Sequence, residues 1–260
     1  MPSSPQRPTA AMIVIGDEIL SGRTRDSNMH HLAGRLTEHG IDLREVRVVP
    51  DVAEVIEGTV RTLSETYDHV FTSGGIGPTH DDITADCVAR AMGASIGVRE
   101  DARAILAARY EAMGTELNEA RLRMARIPEG AALIENPVSA APGFTLGNVH
   151  VMAGVPKIFE AVVAGLLPTL AGGAPLVSET LRVAKGEGDI AAPLSAAQDA
   201  HPHLSFGSYP FQGADGRFGV NVVIRGTDPD AVRAARDALR EALGEVATDA
   251  PGNLLEGLPG

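Results

Sequence analysis

The sequence predicts an α/β protein with a mostly parallel sheet, followed by a small α+β domain. Three observations carry the prediction. Short apolar runs alternate with segments of helical apolar spacing, the loops leaving those runs are rich in glycine and acid, and the pattern changes after Gly172-Gly173-Ala174-Pro175. A length of 260 residues suits one large domain or a medium domain and a small one. Hydrophobic residues at 44% and charged residues at 22% describe a chain able to bury a core, and no apolar run has the length of a membrane span.

Residues 1–9, with three prolines, are expected to form a disordered lead-in and the chain from Asp249 a frayed tail. That leaves 10–172 as the first domain and 173–248 as the second. Ala10 to Ile15 reads as the first strand, stopped by Gly16-Asp17-Glu18. Asn28 opens a helix whose Met29, Leu32, Ala33 and Leu36 share a face, and Gly40 ends it. A second strand from Ile41 to Val49 gives way at Pro50-Asp51 to a helix with Val52, Val55, Ile56, Val60 and Leu63 on one side. The third strand, His69 to Thr72, enters Ser73-Gly-Gly-Ile-Gly-Pro-Thr-His-Asp-Asp82. The next helix carries Ile83, Cys87, Val88 and Ala91 before Gly93. Thr79 and Asp82 stand at the spacing of a capping box. Ala102 to Ala112 reads as helix and Leu133 to Phe144 as an irregular proline-containing stretch. Val149 to Ala153 reads as a strand that leads through Gly154-Val155-Pro156 into a helix ending near Leu167. Beyond the boundary the order is strand 176–184, helix 188–199, strand 204–208, strand 217–225 and helix 229–243.

In a parallel sheet with right-handed crossovers the carboxyl ends of the strands lie along one edge, where ligands bind. Asp17 and Glu18, Asp51, and Asp81 and Asp82 follow the first three strands, which brings five carboxylates to that edge. Their mutual repulsion makes sense if they hold a hard divalent cation or if one acts as a base. Taken singly, the same acids also suit helix caps and solvated turns. Gly74, Gly75 and Gly77 permit positive φ and close approach of N–H groups to an anion, and the following helix offers its positive end, so phosphate fits there. The plain alternative is a tight turn that only packs helix on strand. Gly16, Thr72, Ser73 and Asn28 complete the candidate ligand contacts: Thr72 or Ser73 offers a hydroxyl, and Asn28 caps its helix or reaches the ligand.

The net charge of −12 opposes binding to the polyanions nucleic acid and anionic membrane, and 3% aromatic residues leave few stacking platforms, so a small phosphorylated ligand is the expected partner. The single cysteine, Cys87, lies on an apolar helical stripe and reads as core, and the amino terminus has no export-type apolar stretch, so a cytoplasmic protein is expected. Gly186-Glu-Gly188-Asp-Ile-Ala191 matches a dinucleotide fingerprint but lacks the βαβ context, and reads as a turn with Asp189 near a helix start. His201 and His203, on one face of a strand, have no third ligand nearby and read as surface or packing residues.

Gly16-Asp-Glu-Ile-Leu-Ser-Gly-Arg-Thr-Arg-Asp-Ser-Asn28 and Phe71-Thr-Ser-Gly-Gly-Ile-Gly-Pro-Thr-His-Asp-Asp-Ile-Thr84 resemble the amino-terminal family of competence/damage-inducible protein A (CinA), within the molybdopterin-binding MoaB/Mog superfamily. The likeness continues through Asn118, Asn136-Pro to Ala141-Pro-Gly-Phe144, Ala153-Gly-Val-Pro156 and Gly207-Ser-Tyr-Pro210. This resemblance implies a three-layer α/β/α domain whose glycine loop and acids bind a pterin phosphate or a nucleotide pyrophosphate. It implies that Asp51 and Asp82 correspond to the paired acids that Mog-type enzymes use with Mg²⁺ in adenylyl transfer to molybdopterin. In CinA-like relatives it implies metal-dependent hydrolysis of pyrophosphates such as ADP-ribose, and in a related domain of eukaryotic FAD synthases, FAD hydrolysis. Homo-oligomers are a further family expectation, as is a stand-alone form without the amidase domain of full-length CinA proteins. Ile76 and Pro78-Thr79-His80 depart from the Mog-type loop.

The expected function is therefore binding of a phosphorylated pterin or nucleotide and metal-dependent hydrolysis of a dinucleotide pyrophosphate, with Mg²⁺ as the cofactor. Asp81 and Asp82 are expected to hold metal, and Asp17 and Glu18 to complete the metal or water network. Asp51 and Asp82 are the candidate catalytic acids, with Asp51 holding a second metal or activating water. Adenylyl transfer to molybdopterin and a non-catalytic pterin- or nucleotide-binding module are the alternatives.

Overall fold

The computed structural model describes residues 7–213, 216 and 218–249. The chain divides between Gly173 and Ala174 into two units.

In the first unit, β1 (Thr9–Ile15) lies between β2 (Asp42–Val49) and β3 (His69–Ser73), parallel to both, and β3 pairs in parallel with β8 (Val149–Met152). Two short strands, β6 (Ala132–Ile134) and β7 (Gly143–Leu146), extend the sheet antiparallel, giving the order β2-β1-β3-β8-β7-β6. The sequence of β1 explains its central place. Ala11, Ile13 and Ile15 enter the core on one face, and Ala10, Met12 and Val14 enter that on the other. A strand apolar on both sides is stable only when both faces are covered.

The helices supply the cover. On the first face lie α3 (Ala53–Thr66), α4 (Thr84–Ala91) and α5 (Glu100–Ala112), which bury Ile56, Val60, Leu63, Cys87, Val88 and Leu106. On the second lie α2 (Asn28–His39) and α7 (Pro156–Leu166), through Leu32, Leu36, Phe159 and Val163. The result is the expected three-layer α/β/α arrangement with a mostly parallel sheet. Gly40 ends α2 in the left-handed conformation, φ 80°, as a helix stop should.

The departures are all short elements. Leu133 to Phe144 contains β6 and β7 around the Asn136-Pro137 turn, and β4 (Ile96–Val98) pairs with β5 (Arg126–Pro128) in a separate ribbon. Strands of three or four residues are too short for alternation to show. The four-residue helices α1 (Asp17–Leu20) and α6 (Glu119–Leu122) escape for the same reason. Residues 7–9 belong to the fold and not to a lead-in: Arg7 pairs with Asp42 at 2.8 Å, Pro8 accepts from Asp42 N, and Thr9 N donates to Asp68. The rest of the expected lead-in, 1–6, and the expected tail beyond 249 lie outside the described residues.

The second unit runs β9 (Val177–Val183), α8 (Glu187–Ala200), β10 (Ser205–Gln212), β11 (Phe218–Gly226), α9 (Pro229–Leu243) and β12 (Ala247–Asp249). This βαββαβ chain forms an antiparallel sheet in the order β10-β11-β9-β12. Asp228 caps α9 by accepting from Asp230 N and Ala231 N, with Pro229 preset for the first turn. The strand expected at 204–208 extends to Gln212, and Asp249 is paired in β12. Gly186 stands at the start of α8 with Asp189 in its first turn, so the fingerprint-like stretch is a helix start. His201 and His203 precede β10 in a turn and do not share a strand. Among the described residues no helix is long and apolar enough to cross a membrane.

Candidate functional site

The carboxyl ends of the parallel strands, the loop after β3 and the 136–141 loop enclose an open cleft of about 630 Å³, within the range of small-molecule sites. Glu18, Asp51, Asp81 and Asp82 all line it, with Gly16, Gly74, Gly75 and Gly77. Asp17 does not. Its backbone N–H donates to Asp51 Oδ2 at 3.0 Å, while Gly16 N donates to Val49 O, so the end of β2 is fastened to α1. Asp51 is thus a strap between strand ends and not the cap of α3, whose cap position Val52 takes. Burial pushes the Asp51 carboxyl above its ordinary range. The bond from Asp17 N works against that shift, and the charges of Asp17, Glu18 and Asp81 add to it.

The loop from Gly74 to Ile83 is held from within. Asp82 Oδ2 accepts from Thr79 N at 2.8 Å and from Thr79 Oγ1 at 2.5 Å, and Asp82 N donates to Thr79 O. The capping-box spacing of the sequence is a loop clasp, and α4 begins two residues later at Thr84. Gly74 and Gly75 have φ of 110° and 68°; a Cβ would fall 2.2 Å from Ile15 O at the first and 2.1 Å from Thr84 Oγ1 at the second. Gly77 is not in the left-handed region, and what it needs is room, since a Cβ would stand 2.7 Å from Asp82 Oδ2. The Gly74 N–H is taken by Met152 O, whereas those of Gly75, Ile76 and Gly77 have no partner among the described residues. Gly74 therefore drops out of the predicted set of N–H groups and Ile76 joins it.

Three predicted contacts lie behind the cleft wall. Thr72 and Ser73 are buried, and Asn28, 3% exposed, donates to Ser73 Oγ at 2.8 Å and to Gly154 O at 2.7 Å. Asn28 neither caps α2 nor lines the cleft; it ties α2 to the ends of β3 and β8. Among the described residues no three His, Cys, Asp or Glu side chains are grouped closely enough to hold a metal ion, so Asp17, Glu18, Asp81 and Asp82 are not assembled as one ligand set.

The opposite side of the cleft escaped sequence reasoning. Tyr110, Met124, Asn136 and Ser139 belong to elements distant in sequence from the glycine loop. Asn136, 5% exposed, shapes its loop: Oδ1 accepts from Val138 N and Ser139 N, and Nδ2 donates to Ser139 Oγ and Ala141 O. In the same loop, Ala140 at φ 66° is the only non-glycine residue of positive φ among the described residues. The Asn-Pro turn was the available signal.

Residues 11–172 match the family described as probable molybdopterin binding domain, and residues 175–250 match that described as FAD synthase, middle domain. A protein of Pyrobaculum calidifontis is 36% identical over a region covering 78% of this chain and 81% of its own length. The probable FAD synthase of Caenorhabditis elegans is 35% identical over 93% of this chain, which spans about half, 51%, of that relative. The crystal structure of CinA from Thermoplasma acidophilum, a protein of unknown function, is 38% identical with a TM-score of 0.57, covering 62% of this chain and 98% of that one. The matched sequence and the shared fold show that this CinA-like chain belongs to the probable molybdopterin binding domain family and carries an FAD synthase middle-domain match behind it.

Proposed function

We propose that the cleft binds a phosphorylated pterin or a dinucleotide and hydrolyses a pyrophosphate of the ADP-ribose or FAD type with a divalent cation, Mg²⁺ for preference. The observation that supports this reading is the meeting, in one cleft, of four carboxylates with a loop whose N–H groups at 75 to 77 lack partners among the described residues. Carboxylate oxygens are the donors a hard cation takes. Mg²⁺ keeps several waters and takes one or two carboxylates with substrate phosphates, so acids that are close but not grouped in threes suit a metal that arrives with the ligand. Asp81 and Asp82, through the Oδ1 that Thr79 leaves unused, would hold it, and it would neutralise charge on the reacting pyrophosphate.

The chain's own residues do the rest. Gly75, Ile76 and Gly77 donate N–H groups to a phosphate oxygen. Asp51, fixed through Oδ2 by Asp17 N, keeps Oδ1 to take a proton from the attacking water, and its raised pKa makes it a better base than an exposed carboxylate. The water oxygen bonds to the adenylyl phosphorus, the bridging P–O bond breaks with its electron pair leaving on the other phosphate, and AMP is released together with ribose 5-phosphate from ADP-ribose or FMN from FAD. Glu18, which lines the cleft, orders the water, and Asp17 acts through the N–H that fixes Asp51. Chromatography for AMP after incubation with ADP-ribose, and separately FAD, in Mg²⁺ or Co²⁺ tests the reading, with Asp51→Asn, Asp82→Ala and a chelator as controls. AMP from the native protein that all three controls abolish is the expected result. No AMP under any condition, or AMP that survives the controls, refutes hydrolysis. The family match favours adenylyl transfer to molybdopterin as the second reading, and that reaction yields product only with ATP and the pterin together.

A further inference from the structure

We propose that the helix-free face of the second unit's sheet is a binding surface for a nucleotide bearing one or two phosphates. The proposal does not rest on the cleft. In this unit Leu181, Val183, Val220, Val222 and Ile224 point to one side, into the core they share with α8 and α9. The register then puts the alternate residues on the other side, with Arg182, Asn221 and Tyr209 in one cross-strand row and Phe211 opposite Gly219 in the next.

That face is built around two rings, each seated on a glycine. A Cβ at Gly207 would lie 3.0 Å from Tyr209 Cε2, and one at Gly219 only 2.5 Å from Phe211 Cζ, so any larger residue would displace the rings. The Arg182 guanidinium lies 3.7 Å from the Phe211 ring centroid, and Tyr209 is 41% exposed. Tyr209 belongs to Gly207-Ser-Tyr-Pro210, a motif that the cleft does not use. Rings and guanidinium planes of this kind are what bases stack on.

The charge pattern points the same way. The chain has a net charge of −12, yet among the described residues this face presents Arg182 and Arg225 and no Asp or Glu. Neither arginine has an ion pair among the described residues, a condition that Arg23, Arg25, Arg109, Arg121 and Arg123 of the first unit share; what sets this face apart is that it has no acid beside them. Unpaired guanidinium groups recognise phosphate. Arg182, beside the rings, suits the phosphates of a single nucleotide and not a long polyanion on so acidic a protein, while Arg225 stands four residues beyond Asn221 along β11, opposite Ser178.

The test uses the full chain titrated with ADP, following amide hydrogen exchange in 205–212 and 218–226 alongside calorimetry. ADP is expected to protect both strands, more than adenosine or inorganic pyrophosphate alone. Tyr209→Ala and Arg182→Gln are each expected to weaken this binding about fivefold or more, with unchanged circular dichroism. Asp51→Asn, which removes the cleft's proposed base, should leave the protection of 205–212 and 218–226 intact, and ADP bound in the cleft would not protect those strands, so failure of the hydrolysis reading and failure of this one are separable. Absence of protection, affinities unchanged in both variants, pyrophosphate protecting as well as ADP, or loss of protection in Asp51→Asn would each overturn the proposal. Stronger protection by single-stranded RNA than by ADP would also overturn it, in favour of a polymeric partner.

Discussion

His150 on β8 should make the first unit sensitive to mild acid. It is 2% exposed, with Nε2 3.2 Å from His69 Nδ1, Nδ1 2.9 Å from Thr145 Oγ1, and the Phe71 ring centroid 4.9 Å away. Burial, reinforced by the charge of His69, pushes its pKa down to about 3 from 6.5. The unfolded chain takes up a proton near pH 6.5 that the folded chain refuses until about pH 3. The stability is therefore whole above the unfolded value, falls as the pH drops through it, and the loss is complete near the folded value. At pH 5 His150 alone costs about 2 kcal/mol relative to pH 8, from roughly 1.4 kcal/mol per pH unit over the interval where only the unfolded form is protonated. His69, whose pKa burial also lowers, acts in the same direction. The assay is urea unfolding of the native protein and His150→Asn at about pH 8 and pH 5, read from the first unit's transition. Exposed groups and the change in net charge affect both proteins alike, so the difference between the two acid losses isolates the histidine. Equal losses in the two proteins would refute the reasoning.

Four further outcomes follow from the geometry. Gly75→Ala, at φ 68° and 2.1 Å from the buried Thr84 hydroxyl, should lose about 2 kcal/mol or more, and the bulkier Gly75→Val at least as much, so neither tests ligand binding without also testing folding; unchanged urea stability in Gly75→Ala would contradict the loop geometry. Asn28→Ala removes the bonds to Ser73 Oγ and Gly154 O and should cost about 1–3 kcal/mol in the same assay, with faster amide exchange at the ends of β3 and β8. Asp51→Asn relieves a carboxylate crowded by three other acids while its amide oxygen can still accept from Asp17 N. Its Tm should stay level or rise as AMP release is lost, and a marked fall in Tm would mean that Asp51 is mainly structural. Ala140→Gly should gain about 1 kcal/mol by relieving the left-handed backbone at φ 66°, measured as a rise in Tm.

The long elements of both units were legible because their physics is local. The two-sided apolar run of β1 requires a covered central strand, the spacing of Leu32 and Leu36 defines the buried side of α2, and Gly40 with its left-handed φ stops that helix where the residue type says it should. The acids at the strand ends were legible for the same reason, since strand, loop and helix follow one another in sequence and parallel strands share an end. Four of the five indeed line the cleft.

What the sequence could not decide are the relations that arise only when distant segments meet. Asn28 lies 126 residues from Gly154, and only the packing of α2 against the ends of β3 and β8 turned a candidate cap into a buried tie. The N–H of Gly74 was diverted to Met152 O by the neighbouring strand, which left the N–H groups at 75 to 77 as those without a partner among the described residues. Tyr110, Met124 and Asn136 joined the cleft through tertiary contact alone. The Phe211 ring over Gly219 had to await the pairing of β10 with β11. Composition and periodicity determined which residues are buried and where strands and helices run, because burial and backbone preference act over a few residues. Which polar group meets which was decided by the tertiary structure, because a hydrogen bond depends on position to within a fraction of an ångström, and only the assembled core sets positions so closely.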